Sequence, residues 1–517
     1  MTKDINILWA DDEIDLLKPH IVFLESKGYK VFTVTNGNDA IQTIENTSID
    51  LILLDENMPG KSGLEVLNVL KQIKPEVPVV MITKSEEENI MDDAIGAKIN
   101  DYLIKPVNPN QILLIIKKHI ENKQLIASKV TSAFQNKFIE LNQQIQYANS
   151  IDDWYNVYKS IVFWELQLTN VEQQLAEVIL AQKNEANNAF GKFIKKNYSS
   201  WFNPSNSNKP ILSNSLFAKK IFPLLENQQK VLLIVIDNLR FDQWKFLSSS
   251  IAEIAKIENE ELYCSILPTS TQYARNAMFS GLMPYEIYKL FPEYWKFDDE
   301  EDSKNLFENE LLKYQMKRCG KKINYHYNKI NNQREAKHFF DILPGLKQFD
   351  FLVSVFNFVD ILSHARTQTE VIKELVSDES SYRSVTLSWF QHSILPDTIQ
   401  WATNNGMKVV ITTDHGTVKV TNPIKVLGDR DTSTNLRYKM GKNLKYDRSE
   451  VFEVRKPAEM HLPSSNLTST YIFALNSDYF VYPNNYNYFV NYYKNTFQHG
   501  GISMEEMLIP YIELARK

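Results

Sequence analysis

"VVITTDHGTVKV", residues 409–420, is an apolar and largely β-branched run that ends in Asp414 and His415 and continues into Gly416. A buried strand needs neither an acid nor an imidazole, and both are costly to desolvate without a partner. We therefore expect this strand end to bind a ligand. Apolar runs that end in polar residues recur along the chain, and their arrangement predicts its fold.

Residues 1–120 alternate short apolar runs with amphipathic stretches such as "GLEVLNVLKQIK". The candidate strands are "INILWADDE", "KVFTVTN", "DLILLDENMPG", "VPVVMITK" and "DYLIKPV". Nearly continuous apolar strands that alternate with helices indicate a parallel sheet covered on both faces. The sequence predicts a doubly wound α/β domain over residues 1–120.

Residues 121–215 read as a helical connector or dimerisation segment. No proline occurs between residues 110 and 203, and the apolar spacing of "WYNVYKSIVFWELQL" is helical. Ser150 and Asp153 form a helix-start signal. We expect about three helices here, followed by a loop in the Ser-, Asn- and Pro-rich stretch "SSWFNPSNSNKPILSNS".

Residues 216–517 return to alternating strands and helices and predict a larger α/β domain. The candidate strands are "KVLLIVIDNLR", "ELYCSILPTST", "FDFLVSVFNFVDILSH", "MKVVITTDHG" and "STYIFALN". In open α/β sheets, ligands bind at the carboxyl ends of the strands, where loops converge on one crevice. We expect the polar residues at these strand ends to form one site.

Composition narrows the functional classes. The 517 residues carry a formal net charge of -6, which gives no overall attraction to nucleic acid or to an anionic membrane. Two cysteines are too few for a disulfide framework. No uncharged apolar stretch is long enough to insert in a membrane, so the sequence predicts a cytoplasmic protein.

Three acids and a lysine lie at the predicted strand ends of the first domain. Asp11 and Asp12 follow the first strand, Asp55 ends the third, and Lys105 ends the fifth. Three carboxylates in one small volume repel each other unless a hard cation such as Mg²⁺ lies among them. Asp55 then fits a nucleophile toward a phosphoryl donor, with Lys105 neutralising the transferred group. Alone, Asp11 and Asp12 also fit a solvated loop or a helix cap.

Residues 1–120 resemble the receiver domain of two-component response regulators through "WADDE", "LLDENMPG", "MITK" and "DYLIKP". The resemblance implies that Asp55 is the phosphoacceptor and that a sensor histidine kinase is the partner. It further implies that Asp12, Asp55 and the backbone carbonyl of Asn57 hold Mg²⁺, with Asp11 assisting. Thr83 and Tyr102 would be the switch residues, and Lys105 would stand beside the phosphoryl group. A phosphoryl group adds charge and acceptors that bias a bistable surface.

The second domain carries an ordered series of acids, histidines and one hydroxyl: Asp237, Thr271, Asp360, His364, Asp414, His415 and His499. Asp360 and His364 share one helix face. Nitrogen and oxygen donors without thiolates suit Zn²⁺ or Mn²⁺, and two metals use the set fully. Thr271 is then the candidate nucleophile. Individually, Asp237 also fits a helix cap, His364 a core histidine and His499 a loop residue.

This series resembles the alkaline phosphatase superfamily and, within it, the PglZ domain. The resemblance implies that one zinc binds Asp237, Thr271, Asp414 and His415, and that the other binds Asp360, His364 and His499. A threonine nucleophile is common among the phosphodiesterases of the superfamily. A receiver, a helical segment and a PglZ domain together resemble the PorX-type response regulators, which are linked to type IX secretion and imply a homodimer after phosphorylation.

Basic residues near the site are candidates for substrate binding. Segment 425–456 holds nine Lys and Arg against five Asp and Glu, with interleaved tyrosines, and it reads equally as a solvated basic loop. Within it, Arg437 and Lys439 are the candidate contacts. Arg275 and Asn276, one helical turn after Thr271, are candidate donors to a nonbridging phosphate oxygen.

Two hypotheses for function follow. The first is a phosphorylation-controlled, two-zinc phosphodiesterase that acts on nucleotide or oligonucleotide diesters through Thr271. The second is a switchable interaction module that docks a transcription factor such as a sigma factor, or a secretion factor, with zinc in a structural role. A hydroxyl among the ligands favours the enzyme, because structural zinc sites are usually closed by four protein ligands.

Overall fold

The computed structural model describes residues 5–84, 99–121, 134, 137–168, 173–203, 205–297, 305–368, 376, 378–429, 432–464, 466 and 468–517. The side chains of residues 121, 173–174 and 364–368 lie outside this description. Contacts between Cα atoms divide the chain into two compact units, Met1–Gln135 and Asn136–Lys517. Among the helices described, none is long and apolar enough to cross a membrane.

The first unit has all five predicted strands. They are β1 (Asn6–Ala10), β2 (Lys30–Val34), β3 (Leu51–Asp55), β4 (Val79–Thr83) and β5 (Asp101–Ile104). Its α-helices are α1 (Lys18–Ser26), α2 (Gly37–Asn46), α3 (Gly63–Ile73) and α4 (Pro109–Ile116), with a 3₁₀ turn at Ile14–Leu17 and a π turn at Lys117–Glu121. Ser62 and Glu65 form a capping box that fixes the start of α3.

The strands of the first unit form one parallel sheet in the order β2-β1-β3-β4-β5. Successive side chains point to opposite faces. Leu8 and Leu54 therefore join a core with α2 and α3, whereas Trp9 and Leu53 join a second core with α1 and α4. The fold is the predicted doubly wound one, and the carboxyl ends of β1, β3 and β4 lie side by side at one edge.

The second unit contains the helical segment and the larger α/β domain. Its α-helices are α5 (Ile151–Leu168), α6 (Gln173–Asn197), α7 (Phe222–Glu226), α8 (Phe241–Ile254), α9 (Thr271–Ser280), α10 (Pro284–Leu290), α11 (Glu308–Arg318), α12 (Gln333–Ile342), α13 (Phe358–Gln368), α14 (Glu379–His392), α15 (Leu395–Asn404), α16 (Tyr486–Tyr493) and α17 (Met504–Met507). Shorter turns lie at Tyr198–Phe202, Ser213–Ser215, Phe217–Ile221, Pro292–Tyr294, Leu343–Gln348 and Pro457–Met460. Residues 137–147 are also helical.

The main sheet of the second unit has the order β7-β18-β10-β6-β9-β8. Its strands are β6 (Val231–Ile236), β7 (Lys256–Cys264), β8 (Tyr325–Ile330), β9 (Phe351–Phe356), β10 (Lys408–Thr412) and β18 (Leu508–Ala515). Strands β10, β6, β9 and β8 are parallel. The strand β18 runs antiparallel between β7 and β10, so the sheet is mixed.

Smaller sheets flank the main one. Their strands are β11 (Val418–Lys419), β12 (Asn422–Lys425), β13 (Tyr438–Gly441), β14 (Val451–Val454), β15 (Thr470–Ala474), β16 (Asp478–Val481) and β17 (Phe497–Gln498). The predicted strand "STYIFALN" becomes β15, which lies between β13 and β14 and not in the main sheet. Segment 425–456 thus contains two ordered strands and is not a solvated loop throughout.

The helical segment packs within the second unit. Helix α5 contacts both α6 and α8. Its predicted start is confirmed, because the Asp153 amide donates to Ser150 Oγ over 3.2 Å and the Ser150 amide donates to the Asp153 carboxylate over 2.9 Å. From residue 137 onward, the described helices form one compact body with the α/β domain.

Candidate functional site

The acidic cluster of the first unit lies where β1 and β3 end. Carboxylate oxygens of Asp11, Asp12 and Asp55 lie within 4.8 Å of one another. Asp11 and Asp55 are buried, whereas Asp12 is exposed. Lys105 Nζ lies 2.8 Å from Asp11 Oδ2 and 3.1 Å from Asp55 Oδ2. The structure thus brings together the residues that the strand ends predicted.

The environment of Asp55 fits a cation and a nucleophile. Burial raises the pKa of Asp55 to about 6, against the lowering effect of Lys105. Its Oδ1 is buried and has no hydrogen-bond partner among the described residues. A buried carboxylate oxygen without a donor is costly, and coordination of Mg²⁺ by this cluster removes that cost.

The remaining receiver residues surround the cluster or lie near it in the sheet. Thr83 ends β4 and is buried, Tyr102 lies in β5 with 41% of its surface exposed, and Asn57 is exposed after β3. The roles of Thr83 and Tyr102 as switch residues, and of the Asn57 carbonyl as a ligand, stay predictions.

The cluster of the second unit is built at the shared carboxyl edge of β6, β9 and β10. Asp237 directly follows β6, and Asp414 and His415 follow β10 after one threonine. Thr271 is the first residue of α9, and its side chain is half-buried. Because these strands are parallel neighbours, their ends bring residues far apart in the chain into one crevice.

Thr271 and the first three ligands form a compact set. Donor atoms of Asp237, Asp414 and His415 lie within 4.8 Å of one another. His415 Nε2 lies 3.8 Å from Asp237 Oδ1, 3.8 Å from Asp414 Oδ2 and 3.0 Å from Thr271 Oγ1. Ligands of a tetrahedral zinc lie roughly 3.4 Å apart, since zinc–ligand bonds are about 2.1 Å. The donor atoms therefore fit one zinc ion, and the buried Asp237 Oδ1 lacks a hydrogen-bond partner among the described residues.

A second group lies beside the first. His499 Nε2 is 3.7 Å from Asp360 Oδ1. The rings of His415 and His499 stack with their centres 4.3 Å apart, which makes the two groups neighbours. His364 lies on α13 with Asp360, but its side chain is outside the described residues, so its role as a ligand stays a prediction.

Outer contacts orient both imidazoles. The Nδ1 of His415 lies 3.2 Å from the Gly416 carbonyl, and the Nδ1 of His499 lies 3.2 Å from the Thr269 carbonyl. A backbone acceptor at Nδ1 fixes the orientation of the ring and makes Nε2 the nitrogen that a metal would bind. Gly416 is needed here because a Cβ on it would lie 2.1 Å from the Glu505 carbonyl oxygen. This close approach explains the glycine after Asp414 and His415.

Arg275 occupies a different place from the one predicted. Its guanidinium is fully buried, pairs with Asp237, and donates from Nε to Asp414 Oδ2 over 3.0 Å. A second nitrogen donates to Asn357 Oδ1 over 3.1 Å. Arg275 thus supports the predicted metal ligands and does not present its charge to the open crevice. The neighbouring Asn276 is also buried.

The pKa values of Asp237 and Asp414 are shifted in opposite directions. Burial raises the pKa of Asp237 well above its ordinary value. The charge of Arg275 and its hydrogen bond to Asp237 lower this pKa, but by less than burial raises it. Burial also opposes ionisation of Asp414, but Arg275 and His415 together hold its pKa below the ordinary value. The two carboxylates therefore differ in their readiness to lose a proton to an incoming cation.

Arg437 and Lys439 were expected to contact substrate, and the structure places both in the interior. Arg437 is fully buried and forms an ion pair with Glu506. Lys439 is 1% exposed and donates to the Ser433 carbonyl over 2.8 Å. A side chain buried in this way offers no charge to a substrate, so the described structure gives both residues a packing role.

Sequence reasoning missed Asn238. It follows Asp237 with a positive φ of 65°, and its side chain donates to Asp360 Oδ1 and to Ser363 Oγ, each over 3.2 Å. This residue links the two predicted metal groups. The Asp-Asn pair after an apolar strand was an available signal, because Asn adopts the left-handed region more readily than most residues.

The helical segment also reaches the site. Lys183 Nζ on α6 lies 3.1 Å from Glu505 and 3.2 Å from Glu165. Asn187, one turn further on, donates to Glu505 over 2.9 Å and accepts from the Met504 amide over 2.8 Å. Since Glu505 contacts Gly416, the linker helix holds the turn that packs behind His415.

Comparison with known proteins agrees with this architecture. The response regulator receiver domain family matches residues 7–117, the PorX response regulator linker domain matches residues 124–202, and the BREX system PglZ alkaline phosphatase-like domain matches residues 216–514. The last match covers more than half of the chain, which therefore belongs to the PglZ alkaline phosphatase-like family. The three matches in this order make it a PorX-type response regulator.

Individual relatives match the receiver. ResD, a transcriptional regulatory protein of Bacillus subtilis, is 34% identical over 22% of this chain and 48% of its own length. PhoP, the alkaline phosphatase synthesis transcriptional regulatory protein of Bacillus subtilis, is 30% identical over 29% of this chain and 62% of its own length. The chain thus spans about half the length of these curated relatives.

Solved receiver structures match the same region. A CheY-like receiver domain protein from Methanospirillum hungatei is 28% identical and covers 23% of this chain and 96% of its own, with a TM-score of 0.23. A receiver domain protein from Clostridium thermocellum is 30% identical and covers 23% of this chain and 98% of its own, with a TM-score of 0.22.

Proposed function

We propose that the chain is a response regulator, phosphorylated on Asp55 by a sensor histidine kinase, whose effector is a two-zinc phosphodiesterase. Its substrates are nucleotide or oligonucleotide diesters. The single observation that carries the proposal is the position of Thr271 Oγ1, 3.0 Å from His415 Nε2 at the first residue of α9. Structural zinc sites are usually closed by four protein ligands, so a half-buried hydroxyl among the ligands favours a catalytic site.

The chemistry follows from this placement. Two bound zinc ions supply Lewis acidity and lower the pKa of a coordinated hydroxyl. Thr271 Oγ1 gives its proton to water and attacks phosphorus, the bond from phosphorus to the leaving alcohol breaks, and the alcohol oxygen takes a proton from water. Water then attacks the phosphothreonine, which releases the phosphomonoester and restores the hydroxyl. The amino end of α9 stabilises negative charge on Oγ1.

The charges near Thr271 support a diester over a monoester. A diester carries one negative charge, and a monoester carries close to two at neutral pH. Arg275 already pairs with Asp237 and Asp414, and Lys329 lies 3.2 Å from Glu308. Neither cation is available to balance a second substrate charge.

The test is zinc-dependent hydrolysis of bis(p-nitrophenyl) phosphate, with p-nitrophenyl phosphate beside it. We expect diester turnover that falls at least about 1,000-fold in Thr271→Ala, while Thr271→Ser keeps measurable activity. Bound zinc is counted in each protein, so that loss of metal is separated from loss of the nucleophile. Equal turnover by wild type and Thr271→Ala contradicts the role of Thr271, and a zinc-loaded wild type without diester turnover favours the interaction module.

We extend the proposal to control by phosphorylation. Acetyl phosphate should modify the wild-type chain but not Asp55→Ala, and the modified chain should differ in diester turnover. The match to the PorX linker domain supports a connection to type IX secretion, which a strain carrying Asp55→Ala tests by its secreted proteins.

A further inference from the structure

A cavity of about 790 Å³ lies beside the predicted metal site, at the carboxyl ends of β8 and β9. Its lining comes from the end of β8 and the start of α12, from the start of α13, and from the end of α14. It is large enough for a nucleotide, and the mechanism proposed above makes no use of it.

The lining is basic. Arg334, Lys337 and His392 line the cavity, and none of the described residues that line it is acidic. Arg334 and Lys337 are exposed and form no ion pair within the described part of the chain. Two cations without an ion pair and without an acid among the described lining residues, in a protein with a net charge of -6, favour an anionic ligand.

The cavity also presents an aromatic surface. The rings of Phe358 and Trp389 are stacked with their centres 4.8 Å apart and an angle of 6° between their planes. Both side chains are half-buried and line the cavity, so part of the pair faces it. A flat aromatic surface with nearby cations is the combination on which single-stranded nucleic acids stack their bases.

A chain of hydrogen bonds joins the cavity to the metal site. Arg275, which supports Asp237 and Asp414, donates to Asn357, and Asn357 donates to Asn331 over 2.6 Å. Asn331 lines the cavity. Phe358 also lies two residues before Asp360 on the same helix. The cavity and the predicted metal site therefore adjoin, and one substrate can occupy both.

We infer that this cavity is the binding subsite for a nucleotide that flanks the scissile phosphodiester, with its base on the Phe358–Trp389 pair and its phosphate near Arg334 and Lys337. The inference rests on the proposed function. It assigns the cavity to the nucleotide beside the scissile bond, which a small diester such as bis(p-nitrophenyl) phosphate lacks. The aromatic pair favours a base over an inorganic polyphosphate, which needs cations alone.

Binding of fluorescein-labelled hexathymidylate to the full chain tests this subsite. A chelator in the buffer prevents cleavage, and an abasic hexamer of equal charge is the second probe. We expect Trp389→Ala to weaken hexathymidylate binding about tenfold and abasic binding far less, and Trp389→Phe to restore most of the affinity. The double variant Arg334→Ala/Lys337→Ala should weaken both probes and reduce the salt dependence of binding by about 1.4 in logarithmic slope.

Lys322→Ala is the matched control, because Lys322 is exposed before the opposite end of β8. It should bind both probes like wild type. The inference is overturned if Trp389→Ala, folded by circular dichroism, binds hexathymidylate like wild type, if it weakens both probes equally, or if wild type binds neither probe.

Turnover separates this inference from the proposed function. With zinc present, the ratio of kcat/KM for hexathymidylate to that for bis(p-nitrophenyl) phosphate should fall about tenfold in Trp389→Ala. If wild type cleaves neither substrate but the binding differences hold, the subsite stands as a nucleotide site and the phosphodiesterase proposal fails. If wild type cleaves both and the ratio is unchanged in Trp389→Ala, the subsite fails alone.

Discussion

Arg275 donates from Nε to Asp414 Oδ2 over 3.0 Å and pairs through the same guanidinium with Asp237. One cation thus bridges the two carboxylates that follow β6 and β10. The same two carboxylates are predicted to bind zinc. Without metal, this arginine is their main buried counter-charge. In the metal-free protein, Arg275 therefore holds these two carboxylates in place.

Replacing Arg275 with methionine should destabilise the metal-free protein strongly. It leaves two buried carboxylates without their counter-charge, which costs about 3 kcal/mol or more. Added zinc should recover much of this loss, because it supplies the missing charge. Thermal unfolding in chelator and in zinc measures both effects, with Arg448→Met as control, since the Arg448 side chain is 71% exposed. Equal losses with and without zinc would contradict this account.

Removing the His499 imidazole should empty one metal position and spare the other. His499 lies 3.7 Å from Asp360 and belongs to the second group, whereas His415 completes the first. We expect His499→Ala to bind one zinc where wild type binds two, as measured by elemental analysis of dialysed protein. Loss of both ions, or of neither, would show that the two groups are not separate sites.

The raised pKa of Asp55 predicts a pH-dependent effect on the metal-free first unit. The folded carboxyl keeps its proton to about pH 6, whereas the unfolded one loses it near its ordinary value of 3.8. Stability is therefore lost as pH rises between these values. Asp55→Asn should stabilise this unit by roughly 3 kcal/mol at pH 7 and hardly at pH 4.

Hydrogen exchange of peptides from β3, in chelator and at both pH values, measures this difference. Mg²⁺ is the control, because it should slow exchange in wild type and have little effect on Asp55→Asn. An equal stabilisation at pH 4 and pH 7 would rule out ionisation of Asp55 as the cause.

Lys183 should matter to the effector although it lies in the helical segment. Its ammonium is buried between Glu165 and Glu505, and methionine in its place leaves both carboxylates without this partner. We expect Lys183→Met to lower the stability of the second unit by about 3 kcal/mol and to speed hydrogen exchange in residues 499–507. Lys196→Met, on the same helix, is the control. Unchanged exchange in that turn would separate the linker helix from the site.

Much of the first unit was predictable from sequence. Its strands are short apolar runs, each ended by a polar residue, and a parallel sheet has only one edge at which those ends meet. The grouping of Asp11, Asp55 and Lys105 follows from that rule alone. In the second unit the same rule placed Asp237 and Asp414 together.

The parts that sequence did not predict depend on partners distant in the chain. The strand β18 inserts antiparallel beside β10, and nothing local in "LIPYIELA" indicates its neighbour or direction. Arg275 and Arg437 were predicted to contact substrate, because the sequence does not show whether a guanidinium faces a crevice or a buried acid. Only the fold shows that Glu506 lies opposite Arg437.

The contacts of α6 also limit where the chain can be divided without exposing the effector domain. A chain cut at residue 216, where the phosphatase-like domain match begins, would lose Lys183 and Asn187 and leave Glu505 without either partner. Arg383 would likewise lose Glu165, 2.7 Å away. A chimera that joins a different input domain to this effector and keeps these contacts therefore needs its junction before residue 137, so the helical segment has to be transferred together with the phosphatase-like domain.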